Sequence, residues 1–290
     1  MLAVSGGMDS LVMLDLLCCL AAELGIAEMK VAHFDHHLRP ASAEEGDFVE
    51  REAGRRGLAC CRGGADIGAL SGNLEENARR ARYAFFREVA GDLGGAKIVT
   101  AHHALDQAET VLLHLLRGSG TEGLAAISPL EGDLIRPLLC LSREEIEIYQ
   151  REAGIDFCQD ESNFSLDFRR NSLRLELIPA LLKYNPKLIS ALCATAEICR
   201  ADNEFLDDAA ARLFPDLWQD QGLRLNEQPL ALRRRLLRLA FRQAGGNELS
   251  FAQTEAVLAL KEGQRLALPG RIQASYRMGA LFFFSTPARD

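Results

Sequence analysis

Residues 1–14 read MLAVSGGMDSLVML, and this stretch decides how the rest of the chain is interpreted. A short apolar segment precedes Ser5, two glycines follow, and an apolar helical pattern begins at Ser10. A strand, a glycine-rich turn and a helix in succession direct backbone N–H groups and the positive end of a helix dipole toward an anion. Gly6 and Gly7 can adopt positive φ angles and let a phosphate approach the main chain. The stretch predicts a phosphate-binding loop, with an ordinary structural turn as the alternative.

The first half of the chain alternates short apolar segments with longer helical patterns, which is typical of βαβ units and a parallel sheet. The predicted strands span residues 3–4, 30–34, 58–62, 98–101 and 134–139. The predicted helices span residues 10–24, 42–56, 74–93 and 105–116, and a further helix is capped by Ser142 with Glu145 at the capping-box position. The predicted fold class is therefore α/β, a parallel sheet with helices on both faces.

The pattern changes after Gly154. Residues 155–172 are polar and aromatic without clear periodicity, which indicates a functional loop, and helical patterns return at 173–182 and 187–213. Pro215 marks the expected domain boundary. The tail predicts helices at 229–244 and 251–261 followed by three short strands at 264–268, 271–276 and 280–284. We expect three parts: residues 1–186 with the parallel sheet, a helical linker at 187–214, and a small α+β domain at 215–290.

Composition places the chain in a broad class. The 290 residues are 48% hydrophobic with a net charge of −8, and no apolar run approaches the roughly 18 residues that span a bilayer. The start lacks a basic segment and a small-residue cleavage site, so no export signal is recognised. The eight cysteines show no CxxC spacing, which favours reduced thiols over a disulfide framework. These features predict a cytoplasmic protein without a membrane segment.

The negative charge argues mildly against a polyanion partner, but arginine far outnumbers lysine and suits bidentate phosphate contacts, so RNA stays open.

Histidines and carboxylates cluster after two predicted strands. The sequence AHFDHHLR occupies residues 32–39 and TAHHALDQAET occupies residues 100–110. Loops at the carboxyl ends of parallel strands share one edge of the sheet, so both clusters should meet the glycine-rich loop. Asp106 and Glu109 are three residues apart at a helix start, which places them on one face. Together with Asp35 they form a predicted carboxylate cluster.

Three interpretations of this cluster compete. A zinc site would explain histidines beside carboxylates, although the spacing matches no standard ligand motif. A buried structural histidine network with capping carboxylates needs no ligand. An ATP–Mg²⁺ site, with carboxylates on the metal and imidazoles on the phosphates, is the interpretation that the glycine-rich loop favours.

Several motifs in order along the chain carry a family resemblance. SGGMDS between a strand and a helix resembles the PP-loop of the N-type ATP pyrophosphatases. The further motifs are HFDHHLR at 33–39, RRARYAFF at 79–86, AHHALDQAET at 101–110, RPLL at 136–139, DESN at 160–163, RNSLR at 170–174 and LIPAL at 177–181. Together they resemble the tRNA(Ile)-lysidine synthase family over residues 1–190. The tail, with RRRLLR and Leu268-Pro269-Gly270, is similar to the substrate-binding domain of that family, though more weakly.

The resemblance implies a PP-loop ATPase fold and a ligase that uses ATP and Mg²⁺. It would join free L-lysine to C2 of the wobble cytidine of tRNA(Ile) with a CAU anticodon, through an adenylated cytidine, and change decoding from AUG to AUA. The residues implied to hold ATP are Ser5, Gly6, Gly7, Met8, Asp9 and Ser10. The implied catalytic residues are Asp35, Arg82, Asp106 and Glu109, with Asp35 and Asp106 on Mg²⁺. The residues implied to contact substrate or RNA are His33, His36, His102, Arg170, Arg174, Arg234 and Arg238.

Two departures from the family pattern stand out. Leu105 occupies a position where the family usually has an acid, which puts only a secondary role in doubt. The first strand of the family usually begins several residues earlier, so we expect either a start upstream of Met1 or a short central strand.

The rival functions are another PP-loop enzyme such as a tRNA thiolase, which the lack of CxxC disfavours, and a non-catalytic ATP-binding sensor. The oligomeric state, a homodimer included, and the discrimination against methionine tRNA stay open.

A run of arginines in the tail predicts the RNA surface. On a helix, Leu232, Leu236 and Leu239 would face the core. Arg234, Arg235 and Arg238 would point outward to phosphates, with a merely solvated helix face as the alternative.

Overall fold

The computed structural model describes residues 1–36, 42–66, 68, 74–158, 168–225 and 227–285. The DESN motif and the end of HFDHHLR lie outside these residues. The chain divides into two units, Met1–Cys199 and Arg200–Asp290. Within the described ranges, no helix combines the length and the apolar character that a membrane span requires.

A six-stranded sheet organises the first unit. Its strands are β1 (Leu2–Ala3), β2 (Val31–Asp35), β3 (Cys60–Gly64), β4 (Ile98–Val99), β5 (Leu130–Glu131) and β6 (Leu134–Ile135). The spatial order is β3-β2-β1-β4-β6-β5, and every pair is parallel except β5–β6. The chain moves outward from β1 on one side and then returns to β4 on its other side. The strand order therefore reverses between β1 and β4, which is where open α/β sheets bind ligands.

Helices cover both faces of this sheet. They are α1 (Met8–Leu20), α2 (Ser42–Arg55), α3 (Leu74–Asp92), α4 (Ala104–Leu116), α5 (Thr121–Leu124), α6 (Arg143–Ala153), α7 (Phe168–Ser172) and α8 (Ile178–Leu182). Side chains alternate across a strand, and in β1 Leu2 packs with α1, α2 and α6, whereas Ala3 packs with α3. The predicted fold class is confirmed. The predicted capping box of α6, with Ser142 and Glu145, is also confirmed.

The predicted strand at 134–139 ends early. Pro137 begins a 3₁₀ turn, Pro137–Cys140, because proline has no N–H to continue a strand ladder. A π-helical turn, Leu173–Leu177, joins α7 to α8, and Pro179 at the start of α8 likewise has no N–H to donate. π-turns inside helices are frequent at functional sites.

The second unit contains an antiparallel sheet of five strands. The strands are β7 (Trp218–Gln219), β8 (Gly222–Leu223), β9 (Arg265–Leu268), β10 (Ile272–Arg277) and β11 (Ala280–Ser285), in the order β7-β8-β11-β10-β9. One face of the sheet packs against α10 (Leu230–Gln243) and α11 (Phe251–Leu258) around Phe241. The hairpin of β7 and β8 is not predicted by the sequence. Pro215, the expected boundary, lies inside α9 (Leu188–Leu217), and the division at Cys199 falls within the expected linker.

Candidate active site

The glycine-rich loop closes on itself between β1 and α1. Ser10 Oγ accepts a hydrogen bond from the Ser5 N–H (3.2 Å) and donates one to the Gly7 carbonyl (2.8 Å). Gly7 is the N-cap of α1 and supplies no side chain. The amide groups of the first turn of α1 therefore receive no side-chain cap, which leaves the positive end of the helix directed at the loop.

Both the backbone conformation and the neighbouring side chains require a glycine at position 6. Its φ angle is +97°, and a Cβ there would lie 3.3 Å from Val49 Cγ2 and 3.6 Å from Cys158 Sγ. The Gly6 carbonyl accepts from the Cys158 N–H (3.0 Å). Buried His33 donates from Nδ1 to the Val4 carbonyl, directly before the loop (2.9 Å). His33, predicted to contact substrate, is thus placed against the backbone that supports the loop.

His103 organises the N-terminus of α4, beside the loop. Its Nδ1 accepts from the Leu105 N–H (3.2 Å), and its own N–H donates to Asp106 Oδ2 (2.9 Å). This is a reciprocal capping box. Because Nδ1 is an acceptor, the proton of the neutral ring lies on Nε2. That atom is 3.7 Å from both Asp9 Oδ2 and Asp106 Oδ2, so His103 stands between two carboxylates.

Asp9 links the loop to α6. Arg143 Nη1 donates to both of its carboxylate oxygens (2.8 and 3.1 Å), and Arg143 Nε donates to Glu147 (2.8 Å). Burial raises the pKa of Asp9, and the charges of His103 and Arg143 only partly oppose this. Arg143 therefore favours the ionised form of a carboxylate that burial would otherwise neutralise.

The pKa values of His102 and Asp106, which follow β4 in the chain, are shifted so that the two groups differ in charge. Burial raises the pKa of Asp106, but His103, through its charge and its N–H, and His102 and Arg170 outweigh burial and lower it. Burial, together with the charges of Arg136, Arg82 and Arg170, lowers the pKa of His102 to about 4, and the charge of Asp106 only partly opposes this. At neutral pH the site therefore contains an ionised Asp106 beside a neutral His102, whose Nδ1 is 3.0 Å from Thr100 Oγ1. The guanidinium of Arg82 lies over the Tyr83 ring, 5.6 Å from its centroid.

Glu109 is held by two arginines. It is fully buried, and it accepts from Arg170 Nε (3.0 Å) and Arg174 Nε (2.5 Å). Arg174 Nη2 also reaches Asp106 Oδ1 at 3.5 Å. The structure therefore confirms that Asp106 and Glu109 share one face. The guanidinium groups of Arg170 and Arg174, predicted to face RNA, are instead directed at these carboxylates.

Asp35 and His36 lie at the same edge of the sheet. Asp35 ends β2, adjacent to β1, and its carbonyl accepts from the Ala65 N–H (3.1 Å). The His36 ring packs edge-on against Phe34 at 5.0 Å between centroids.

The donor set fits Mg²⁺ better than zinc. Among the described residues, no three His, Cys, Asp or Glu side chains converge to hold a metal, whereas structural zinc takes four such ligands and catalytic zinc three. Mg²⁺ is commonly bound by one or two carboxylates together with waters and substrate phosphates. Asp9 and Asp106, which flank His103, fit such a metal.

The arginine run of the second unit separates into different environments. Leu236 is buried and Leu232 and Leu239 pack against the same core, as predicted. The prediction for Arg235 is wrong: its side chain is buried and donates to Asp207 (2.8 Å) and to Asn203. Leu236 and Arg235 are successive residues, and the buried arc of α10 is wide enough to include both.

Arg234 and Arg238 are half-buried on α10. Arg234 donates from Nε to Glu255 (2.7 Å) and lies over the Phe251 ring, 5.2 Å from its centroid. Both therefore keep part of their surface accessible to a ligand.

The sequence alone does not mark two residues of the site. It shows His103 only as part of a histidine pair, although a capping residue three positions before an acid is a recognisable signal. Arg143 is separated from Asp9 by 134 residues, and no local pattern links them.

Comparison with known proteins adds independent findings. Residues 1–181 match a PP-loop domain family, and residues 223–276 match the TilS substrate binding domain. The chain is 40% identical to the tRNA(Ile)-lysidine synthase of Geobacter sulfurreducens, with 93% of this chain aligned to 61% of that protein. It is 37% identical to the enzyme of that name from Thermosynechococcus vestitus and 38% identical to that from Gloeobacter violaceus, aligned to 81% and 85% of their lengths.

A solved structure supports the fold. A U34-tRNA thiolase from Methanococcus maripaludis superposes with a TM-score of 0.53 at 17% identity, over 67% of this chain and 70% of that one. This likeness concerns the fold alone.

Proposed function

The chain belongs to the tRNA(Ile)-lysidine synthase family, and on that premise we propose that it joins free L-lysine to C2 of the wobble cytidine of tRNA(Ile). The reaction consumes ATP and yields AMP and pyrophosphate. The C2 oxygen of the cytidine attacks the α-phosphate and displaces pyrophosphate. The ε-amine of lysine then attacks C2 and displaces AMP.

One observation carries this proposal. Asp9 of the glycine-rich loop and Asp106 of α4 both lie 3.7 Å from His103 Nε2, at the point where the strand order reverses. A phosphate-binding loop and an ionised carboxylate thus share one small site. This supports a reaction between a nucleotide and a cationic substrate such as lysine.

The nucleotide half of the site is the loop itself. Backbone amides of residues 6–10 would bind the phosphates, with Ser5 and Ser10 hydroxyls as further donors. Mg²⁺ would be held by Asp106 with Asp35 at the same edge of the sheet and with Asp9 of the loop, and it would neutralise charge on the phosphates when bound. Arg82 would stabilise the charge that develops during displacement of pyrophosphate.

The lysine half of the site is Asp106. Its lowered pKa keeps it ionised, so it can attract the ammonium group of lysine and later accept a proton. Glu109 is saturated by two guanidinium groups. We therefore assign it the role of positioning Arg170 and Arg174, where the sequence suggested direct catalysis.

The second unit would bind the RNA. Its match to a substrate binding domain and the accessible surface of Arg234 and Arg238 support this role. Proteins read unpaired bases in RNA loops most readily, and the wobble cytidine is such a base.

The test is a reconstitution with the whole chain, ATP, Mg²⁺, L-lysine and a tRNA(Ile) transcript with a CAU anticodon. We expect repeated turnover to AMP and pyrophosphate only when all are present, whereas omission of lysine should stop the reaction at the adenylated cytidine, after at most one pyrophosphate per RNA. Mass spectrometry of the digested RNA should show a lysine-modified cytidine. A transcript with uridine at the wobble position should give no product. Repeated ATP turnover without lysine would indicate another PP-loop enzyme such as a thiolase, and binding of ATP without turnover would indicate a sensor.

A matched pair of glycine variants checks the loop. Gly6→Ala combines a strained φ with a 3.3 Å contact and should abolish ATP turnover. Gly25→Ala also changes a glycine with positive φ (+64°), but nothing lies within 4 Å of its Cβ position, and it should keep activity. Equal activity of the two variants would contradict the assignment of the loop.

A further inference from the structure

The outer face of the five-stranded sheet in the second unit is built differently from its core face. Ile272 and Ala274 of β10 and Phe283 of β11 belong to the core. Because side chains alternate along a strand, the intervening residues line the opposite face. We call this the aromatic face; its residues are Arg265, Gln273, Ser275, Arg277, Phe282 and Phe284.

Two phenylalanine rings and one guanidinium form the centre of the aromatic face. The rings of Phe282 and Phe284 are parallel within 2° and 6.5 Å apart. The guanidinium of Arg277 lies over both, 4.5 Å from the Phe282 centroid and 5.3 Å from the Phe284 centroid. A Cβ at Gly222 would lie 2.8 Å from ring carbons of Phe282, so the absence of a side chain there makes room for that ring above β8.

The charge on this face has one sign. The five strands contain Arg265 and Arg277 and no acidic residue. Within the described part of the chain, neither arginine forms an ion pair, in contrast with Arg234 and Arg235 of α10. Exposed Arg277 is therefore available to an anionic partner, and among the described residues its guanidinium contacts the two rings.

A buried hydroxyl adds an independent observation. Ser275 is 4% exposed, and its Oγ makes no hydrogen bond to any described residue. The register places it directly opposite Phe282. A buried polar atom without a partner is costly, and its presence indicates a site where a ligand or water supplies the missing bond.

We propose that the aromatic face binds an unpaired nucleotide of the tRNA, whose base stacks on Phe282 and Phe284 while Arg277 contacts the adjoining phosphate. The inference rests on the proposed function for the identity of the RNA. A base offers a planar face for the rings and a phosphate offers the charge that Arg277 lacks. An acidic peptide would satisfy the charge but would make no use of two parallel rings.

The experiment measures binding of the tRNA(Ile) transcript to the whole chain by fluorescence anisotropy at several salt concentrations. Phe282→Leu with Phe284→Leu removes the stacking surface and should raise Kd about tenfold or more, since a stacked base contributes about 1–3 kcal/mol. Arg277→Gln leaves the rings in place and should lower the slope of log Kd against log salt by about 1. The matched controls are Phe205→Leu and Arg212→Gln, two exposed residues of α9 in the same unit, and both should bind as the parent chain does.

Three results would overturn the inference: an unchanged Kd in folded Phe282/Phe284 and Arg277 variants, an equal loss of affinity for a fully paired RNA duplex, or no binding of RNA by the parent chain. Thermal unfolding reports whether the double variant is folded, and Arg277→Gln changes only an exposed side chain. Lysine-dependent ATP turnover is measured separately. If the parent chain turns over ATP and the variants bind the tRNA with an unchanged Kd, the role of the aromatic face is refuted and the proposed function stands. If the variants bind more weakly but the parent chain shows no turnover, the proposed function is refuted and the role of the aromatic face stands.

Discussion

Arg174 in the first unit and Arg234 in the second both form an ion pair through Nε, at 2.5 Å and 2.7 Å. The two arginine side chains are about equally exposed, at 38% and 33%. Their partners differ: Glu109 is fully buried, whereas the Glu255 side chain is 37% exposed. The difference lies in the carboxylate and not in the arginine.

This difference decides what each arginine can do. If Arg174 left Glu109, a charge would stay buried without its full compensation, which is costly. If Arg234 left Glu255, water would solvate that carboxylate and a phosphate could take its place. Sequence marks both arginines as RNA contacts, but only Arg234 can exchange its partner cheaply.

Glu109→Ala should have the largest effect on stability. It leaves Arg170 and Arg174 facing each other without the carboxylate that both bind. We expect the free energy of unfolding to fall by about 3 kcal/mol, at the low end of the range for broken buried pairs because both guanidinium groups are about a third exposed. Chemical denaturation measures it, and ATP turnover should be lost in the folded variant.

Glu176→Gln is the control for this prediction. Glu176 is an exposed carboxylate in the π-helical turn that also contains Arg174, and it accepts from Ser172 Oγ (2.9 Å), so its loss should change stability little. Equal destabilisation by the two variants would show that burial of Glu109 is not what matters.

Arg235→Met should have the second largest effect. The side chain is buried and donates to Asn203, so its loss removes a buried donor and should cost about 2 kcal/mol. Arg234→Met, one residue earlier on α10, removes an accessible ion pair and should leave the unfolding midpoint nearly unchanged. A reversed order of the two midpoints would contradict the burial assignment on α10.

Much of the fold could be predicted because it depends on local signals. The strand–loop–helix at SGGMDS, the helix from Leu74 and the capping box at Ser142 each follow from residues within one element. The short hairpin of β7 and β8 could not, because two-residue strands carry too little periodicity. Pro215 was misleading, since α9 continues past it.

The site could be predicted only in its parts. Parallel topology brings the loop and the start of α4 to one edge, and the sequence shows which polar residues follow each strand. The pairings depend on tertiary contacts: Glu109 meets Arg170 across 61 residues of chain and Asp9 meets Arg143 across 134. No pattern in the sequence distinguishes a guanidinium that contacts RNA from one that contacts a buried acid.

Arg143→Gln extends the comparison to a third arginine, whose partner Asp9 is intermediate in exposure at 30%. Burial raises the pKa of Asp9 and Arg143 lowers it, so removing Arg143 should raise it further. If Asp9 must be ionised for turnover, the acid limb of kcat/KM against pH moves to higher pH. Arg151→Gln, an exposed arginine of the same helix, should leave the limb in place. Movement of the limb to lower pH would contradict the ion pair.

Replacing Arg234 and Arg238 with glutamine should have the smallest effect on the protein and a selective effect on RNA binding. Each lost phosphate contact lowers the salt slope of tRNA binding by about 1, so the double variant should bind more weakly and with a flatter salt dependence. Water can solvate Glu255 once Arg234 is replaced, so the fold of the double variant should be kept. A flatter salt slope therefore reports the loss of phosphate contacts and not unfolding. A parallel Arg170→Gln variant should lose turnover without a change in slope, since its guanidinium is committed to Glu109. If Arg170→Gln flattens the slope and the α10 variant does not, the two groups of arginines have the opposite roles, and the burial of the carboxylate partner is not what selects the RNA contact.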